Sequence, residues 1–267
     1  MKPCISEATT LTQTFADDVI AYAAAGWKAM EVWLTKLETH LQAHSGADTL
    51  KLLEDNHLTL AAAAYQGGLL LSQGEQRRAH FDHFRRRLEL CALFNVPTLL
   101  VVADFVEAVD RTALERAVVS LAQAGQAASE FGVRLALEFR GKATFCACLE
   151  TAVALVAGCG RANVGVCLDA FHYQTGPSKP DDLVLLTRDN LAHVQLCDLA
   201  GVPRELAADS DRVMPGDGDI RLDKIMTRLR EIGYDGWVSL ELMNPTLWEI
   251  AAASVADVGL AALRRFL

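Results

Sequence analysis

Residues 165–176, GVCLDAFHYQTG, combine an apolar run with an acidic residue and a histidine. The apolar part predicts a buried β-strand, because a strand that is covered on both faces is apolar throughout. This strand ends on Asp169, and His172 follows three residues later. A charged side chain at the end of a buried strand needs a reason, and the same arrangement recurs further along the chain.

Short apolar runs of this kind alternate with stretches in which apolar residues are three or four positions apart. The first pattern predicts strands and the second predicts amphipathic helices. The predicted strands are 4–7, 29–33, 58–64, 98–102, 134–138, 164–169, 193–198 and 238–241. The predicted helices include 16–25, 75–94, 112–131, 149–157, 222–232 and 248–266.

Eight strand–helix units in 267 residues predict an α/β fold, a single (β/α)8 TIM barrel that occupies residues 1–267 as one domain. A doubly wound open sheet is the alternative. It is disfavoured because no G-x-G-x-x-G motif follows the first predicted strand.

The composition argues against several classes of protein. No apolar run reaches the length of about eighteen residues that a membrane-spanning helix needs, so no membrane association is predicted. The first residues lack the layout of a signal peptide. The seven cysteines are odd in number and mostly lie in apolar runs, which predicts reduced thiols and a cytoplasmic protein. The net charge of −9 argues against nucleic-acid binding, which requires a basic surface.

The polar residues at the ends of the later predicted strands fall at one end of the barrel. Glu138, Asp169 and Glu241 end three strands, and Gln195 and Asp198 lie at the end of a fourth. The active sites of TIM barrels lie at this carboxyl end of the strands. Crowded carboxylates repel one another unless they are protonated or neutralised. A divalent cation is the simplest neutraliser, and oxygen ligands favour Mg²⁺ or Mn²⁺, with Zn²⁺ or Co²⁺ as alternatives.

Six motifs together resemble the xylose isomerase-like superfamily of TIM barrels. They are CISEATTL, ALEF, LDAFHYQTG, HVQLCD, DRVMPGDGDI and GYDGWVSLELMNP, and the resemblance covers nearly the whole chain. This superfamily contains sugar-phosphate isomerases and epimerases, ketose 3-epimerases, hydroxypyruvate isomerases and, nearest in likeness, the inosose isomerases of inositol catabolism. The resemblance implies a divalent-metal-dependent isomerase or epimerase of a small sugar or cyclitol, and a homodimer or homotetramer.

The resemblance also implies a ligand set for one metal ion, at Glu138, Asp169, Gln195 and Glu241. Many relatives carry histidine where this chain has Gln195. His193 points to the same face of a regular strand, so it is the alternative ligand from that strand. In the ketose epimerases two metal-bound glutamates transfer the proton, which implies that role for Glu138 and Glu241.

Four further residues are expected to contact the substrate. His172 matches the family histidine that binds substrate, and Arg212 can clamp a substrate oxygen or pair with a nearby aspartate. Trp33 and Lys36 are expected along the substrate wall, although the apolar surroundings of Trp33 also suit a core residue. Thr144 stands where the ketose epimerases carry another glutamate, which weighs against that branch.

Other members of the same superfamily supply the alternative functions. Dehydratases that act on inosose or 3-dehydroshikimate share the metal and the proton abstraction but expel water. A relative of endonuclease IV would need more histidines at strand ends and a basic face, which this chain lacks. A non-catalytic sugar-binding relative is disfavoured by the intact set of four ligands.

Overall fold

The computed structural model describes residues 1–104, 109–110 and 112–267, and eight parallel strands form a closed barrel at its centre. They follow one another around the barrel in chain order, which confirms the predicted TIM barrel. The barrel strands are β1 Lys2–Ser6, β2 Ala29–Trp33, β3 Thr59–Gln66, β4 Thr98–Val102, β5 Arg134–Glu138, β6 Val164–Asp169, β7 Leu191–Leu196 and β10 Trp237–Leu240. Two short strands, β8 Asp198–Leu199 and β9 Arg212–Val213, form a separate antiparallel pair.

The helices follow the strands along the chain. They are α1 Phe15–Ala24, α2 Leu34–His40, α3 Gly46–Asp55, α4 Gly74–Leu93, α5 Ala113–Ser129, α6 Leu149–Cys159, α7 Ala170–Thr175, α8 Leu222–Glu231, α9 Pro245–Trp248 and α10 Ala252–Arg264. Six of them match the predicted helices, whereas α2, α3, α7 and α9 were not predicted. In the part of the chain that the structure describes, every helix is too short or too polar to cross a bilayer.

The alternation of side chains along the strands decides which of them face the inside of the barrel. In β6, Leu168 packs in the large core that the helices share, whereas Cys167 packs with small residues such as Ala136 of β5. Asp169 lies two positions after Cys167, and Glu138 lies two positions after Ala136. Both acids are therefore on the inward-facing side of their strands, and both are the last residues of those strands.

One predicted strand is shifted in the structure. The seventh barrel strand was predicted over 193–198, but it spans Leu191–Leu196. Asp198 belongs instead to the two-residue strand β8. Its carboxylate accepts the backbone N–H groups of Gly216 and Ile220, each at 2.9 Å. Asp198 therefore orders the loop after the barrel strand rather than ending that strand.

Candidate metal centre and substrate cavity

Three side chains converge at the carboxyl ends of β5 and β6. One ligand atom from each of Glu138, Asp169 and His172 lies within 4.8 Å of the other two. Asp169 caps the short helix α7, because its Oδ1 accepts the backbone N–H of His172 at 2.8 Å. This cap places the imidazole against the neighbouring strand end, with His172 Nε2 at 3.3 Å from Glu138 Oε1. The spacing of Asp169 and His172 thus follows from the first turn of a helix.

Arg212 links this cluster to the end of β10. Its Nη1 donates to Asp169 Oδ2 at 2.8 Å and to Glu241 Oε2 at 3.1 Å. Its Nε and Nη2 donate to Asp209 Oδ1 at 3.2 and 2.8 Å. The guanidinium also lies over the ring of Phe171, 4.6 Å from the ring centre. Arg212 is 1% exposed, so this cation and its carboxylate partners interact with little screening by water.

Gln195 connects Glu241 to a second buried acid, Glu31. The amide nitrogen of Gln195 donates to Glu241 Oε1 at 2.9 Å and to Glu31 Oε1 at 3.1 Å. The amide oxygen accepts from Cys167 Sγ at 3.2 Å. His193 contacts the other oxygen of Glu31, with Nε2 to Oε2 at 2.7 Å. Of the two candidate ligands on β7, Gln195 is therefore the one that contacts Glu241, through its nitrogen.

The two carboxylates that share Arg212 have opposite pKa shifts. Burial opposes the ionisation of Asp169, but Arg212 and His172 outweigh it and hold the pKa of this carboxyl well below its usual range. Burial raises the pKa of Glu241 well above its usual range; Arg212 opposes this shift, and carboxylates such as Glu31 add to it. Asp169 is therefore the more strongly ionised of the two.

A cavity of about 160 Å³ opens over these groups. Trp33 and Tyr65 form one wall, with their rings edge to face at 5.2 Å. The lining combines these rings with the charged cluster: Trp33, Ala64, Tyr65, Val102, Glu138, Arg140, His172, Asp209, Arg212, Glu241 and Met243. Three of the four predicted substrate residues, Trp33, His172 and Arg212, belong to it.

The fourth predicted substrate residue, Lys36, lies behind the wall that Trp33 forms. Its ammonium ion-pairs with Asp18 and donates to the carbonyl of Thr10 at 3.1 Å. It also lies 3.8 Å from Glu7 Oε1. The other oxygen of Glu7 accepts the backbone N–H of Trp33 at 2.6 Å. The structure thus places Lys36 in a buried ion cluster that supports the aromatic wall.

Sequence reasoning missed two acids of this region, Glu31 and Asp209. Glu31 lies in the middle of β2 and is fully buried. A charged residue inside an apolar run, two positions before Trp33, was the available signal for it. Asp209 reaches Arg212 from the loop that follows β8. The available signal was its spacing, since Asp209 precedes Arg212 by three residues and the two side chains meet within one turn.

The residues at the barrel mouth fit a divalent cation. Glu138, Asp169 and Glu241 supply carboxylate oxygens, and His172 supplies an imidazole nitrogen near two of them. Such a mainly oxygen donor set suits Mg²⁺ or Mn²⁺, and the added nitrogen also suits Zn²⁺. If Gln195 is a ligand, its amide must turn over, because ligation requires the oxygen and the nitrogen now faces Glu241.

Comparison with known families places the chain. The family model described as xylose isomerase-like TIM barrel matches residues 19–266. The chain therefore belongs to this family, as its motifs indicated.

Named relatives and solved structures are similar to nearly the whole chain. The inosose isomerases of Halalkalibacterium halodurans and Bacillus subtilis are each 28% identical to it, over 94% of this chain and 91% and 92% of their own. A crystal structure of IOLI protein with a binding zinc atom superposes with a TM-score of 0.94 at 26% identity, covering 100% of this chain and 99% of that one. A D-psicose 3-epimerase, at a TM-score of 0.79 and 22% identity, shares the fold, with coverage of 100% and 99%.

Proposed function

We propose that this protein is a divalent-metal-dependent sugar isomerase or epimerase that acts on a small polyhydroxy ketone, with 2-keto-myo-inositol as the first candidate. The observation that carries this proposal is the convergence of Glu138, Asp169 and His172 in one cavity with Glu241 and Arg212. The inosose isomerases among the relatives support both the isomerase class and a cyclitol substrate. The zinc atom in the similar crystal structure supports a metal site.

Four residues would hold the ion in this proposal: Glu138, Asp169, Gln195 and Glu241. The imidazole of His172, which adjoins the first two, would be left for the substrate. A bound divalent ion would polarise the substrate carbonyl and its neighbouring hydroxyl, which lowers the cost of removing the proton from the carbon that bears this hydroxyl. Mn²⁺ and Mg²⁺ suit these oxygen ligands best, and Zn²⁺ or Co²⁺ is the alternative.

The chain's own residues would move the proton. Glu138 and Glu241 come from strands on different sides of the cavity, so their carboxyl groups can approach a substrate from two directions. One carboxylate takes the proton from the carbon next to the carbonyl. The other returns a proton either to the former carbonyl carbon, which isomerises the substrate, or to the opposite face of the same carbon, which epimerises it. The burial of Glu241 raises the pKa of this carboxyl well above its usual range, which supports a role in holding a proton.

The remaining residues of the cavity would bind and orient the substrate. His172 can donate a hydrogen bond to a substrate oxygen beside Glu138, since its Nε2 already lies there. Trp33 and Tyr65 would cover an apolar face of the sugar ring and exclude water. The small volume of about 160 Å³ favours a compact substrate such as a single sugar or cyclitol ring.

Proton exchange into the substrate tests this proposal. The protein would be incubated in D₂O with inosose, ketoses, hydroxypyruvate and dehydroshikimate, each after removal of metal with EDTA and after addition of Mn²⁺, Mg²⁺, Co²⁺ or Zn²⁺. Proton NMR would report loss of the signal at the carbon next to the carbonyl. We expect exchange on a polyhydroxy ketone that stops on chelation and returns with Mn²⁺ or Mg²⁺. Exchange that survives exhaustive chelation would contradict the mechanism.

The same spectra distinguish the dehydratase alternative. An isomerase or epimerase returns a proton or deuteron to carbon, so the product keeps the number of heavy atoms. A dehydratase expels water and leaves a carbon–carbon double bond with a new vinyl signal. A vinyl product would assign the chain to the dehydratases of its family.

A further inference from the structure

Arg212 is saturated with carboxylate partners on both sides of its guanidinium. On the inner side, Nη1 donates hydrogen bonds to Asp169 and Glu241 at 2.8 and 3.1 Å. On the outer side, Nε and Nη2 both donate hydrogen bonds to Asp209. Phe171 supports the plane of the guanidinium from one face. The position of this cation is therefore fixed independently of any substrate.

The hydrogen bonds of Asp169 and Glu241 show what Arg212 does for them. Oδ1 of Asp169 accepts the backbone N–H of His172, and Oδ2 accepts a hydrogen bond from Arg212. Oε1 of Glu241 accepts a hydrogen bond from Gln195, and Oε2 accepts one from Arg212. A cation bound between these two carboxylates would use the oxygens that Arg212 now holds.

We propose that Arg212 is a positioning residue that takes the place of the metal ion between Asp169 and Glu241, and that it thereby sets how tightly the site binds a divalent cation. The inference rests on the metal centre of the proposed function. The guanidinium neutralises these two buried acids, each through one oxygen. When the ion binds, Nη1 yields at least one of these oxygens, while Asp209 and Phe171 retain the rest of the side chain.

Two physical effects of Arg212 both weaken the binding of a metal ion. The metal must displace a charge-assisted hydrogen bond, which costs binding free energy. The guanidinium charge also repels the ion at short range in a buried site. Removing Arg212 abolishes both effects. It also leaves two acids unpaired, so the metal-free protein loses stability that a bound ion restores.

The test compares Arg212→Met with wild type, since methionine keeps an unbranched apolar stem against Phe171. Mn²⁺ affinity of the metal-free proteins would be measured by calorimetry, and the melting temperature with and without Mn²⁺. We expect Arg212→Met to bind Mn²⁺ at least about tenfold more tightly and to gain more in Tm from the ion than wild type. Arg140→Met is the matched control, because Arg140 lines the same cavity and lies 3.9 Å from Asp209. Its Mn²⁺ affinity should stay within about threefold of wild type, a small electrostatic effect.

Mn²⁺ binding by Arg212→Met that equals or is weaker than wild-type binding would overturn the inference. Recovery of folded Arg212→Met only in the presence of Mn²⁺ would support it. If the variant does not fold under either condition, NMR of wild type carries the test. The side-chain Nε–H signal of Arg212, assigned by its loss in Arg212→Lys, should shift when Mg²⁺ is added. A signal that stays fixed while Mg²⁺ binds would contradict the proposal. Wild type that binds neither ion would instead refute the metal centre itself.

Discussion

Two buried groups of this chain each hold one cation between carboxylates, and they lie on opposite sides of the same wall. At the barrel mouth, Arg212 joins Asp169 and Glu241 and lines the cavity. Behind the wall, Lys36 joins Asp18 and approaches Glu7. The residue types are similar, so the difference in what they can do comes from their surroundings.

The surroundings of the Lys36 group are hydroxyl and backbone groups. Thr10 Oγ1 donates to Asp18 Oδ1 at 2.6 Å, and Tyr22 contacts the same hydroxyl. At the mouth, by contrast, a third carboxylate and a histidine adjoin Asp169 beside a cavity. A buried ion cluster therefore becomes a candidate metal site only where further ligand atoms adjoin it.

Removal of the ammonium should have the largest effect on stability. Lys36→Met leaves two buried acids without their cation, and breaking a buried pair in this way should lower the free energy of unfolding by about 3 kcal/mol. Urea denaturation would measure it. Mn²⁺ affinity should stay at the wild-type value, because the group lies behind the Trp33 wall. A raised KM at unchanged stability would instead support the substrate-binding role that the sequence predicts for Lys36.

Removal of either proposed proton carrier should have the largest effect on catalysis. Glu138→Gln and Glu241→Gln keep an oxygen but lose the acceptor, so kcat should fall by a factor of about 10² or more. The exposed Glu150→Gln, whose partner is Lys179, is the control and should keep wild-type kcat. If Glu241→Gln is harmless while His172→Ala abolishes exchange with metal still bound, His172 is the base and the two-glutamate mechanism is wrong.

Removal of the histidine should have a smaller effect. His172→Ala keeps the backbone N–H that donates to Asp169, because that bond comes from the main chain. It removes the imidazole beside Glu138, which we propose donates to a substrate oxygen. The loss of one such bond should raise KM and lower kcat/KM by about tenfold. Steady-state kinetics on the exchanging substrate would measure both. An unchanged KM with a large fall in kcat would contradict the binding role.

The two ion groups should also differ in their response to pH, and this is the smallest expected effect. Burial raises the pKa of Glu7 well above its usual range; Lys36 opposes the shift and Asp18 adds to it. A raised pKa means that the folded protein binds this proton more tightly than the unfolded chain. Its stabilising contribution is therefore complete below the unfolded pKa of about 4.3 and is lost as the pH rises through the folded pKa.

Asp169 should show the opposite dependence, since its folded pKa is lowered. Its contribution in the metal-free protein is present above the unfolded pKa and is lost as the pH falls through the folded pKa. Urea denaturation of the metal-free protein across the pH range would measure both slopes. Glu7→Gln should remove only the loss of stability at high pH. An unchanged dependence of the free energy of unfolding on pH in that variant would contradict the account.

The barrel and its acidic mouth were predictable because the alternation of side chains along a strand and the apolar character of a buried strand can both be read from the local sequence. Strand-end acids such as Glu138 and Asp169 are on the same inward-facing side as small residues two positions earlier, so their meeting follows once a closed barrel is assumed. The partners of Arg212 were not predictable in the same way. Asp209 is three residues away and pairs with it locally, but the pairing of this arginine with Asp169 and Glu241 depends on the path of the loop after β8.

The position of Lys36 was missed for a related reason. The segment after β2 has only a short helical pattern, Leu34, Leu37 and Leu41. It forms α2, which turns Lys36 towards Asp18 of α1. Propensity did not reveal this helix, because it is short and tertiary packing stabilises it. Residues on such segments can be assigned to a wall or a cavity only when the fold is known.

Titration of the metal-free protein with Mn²⁺ tests the central claim most directly, namely that the strand-end carboxylates hold one divalent ion. Calorimetry on wild type should give one bound ion per chain. Asp169→Asn should weaken that binding by about a hundredfold, because it removes a charged ligand from the buried cluster. The exposed Asp235→Asn, whose partner is Arg188, should bind as wild type does. No Mn²⁺ binding by wild type, or equal binding by Asp169→Asn, would contradict the account.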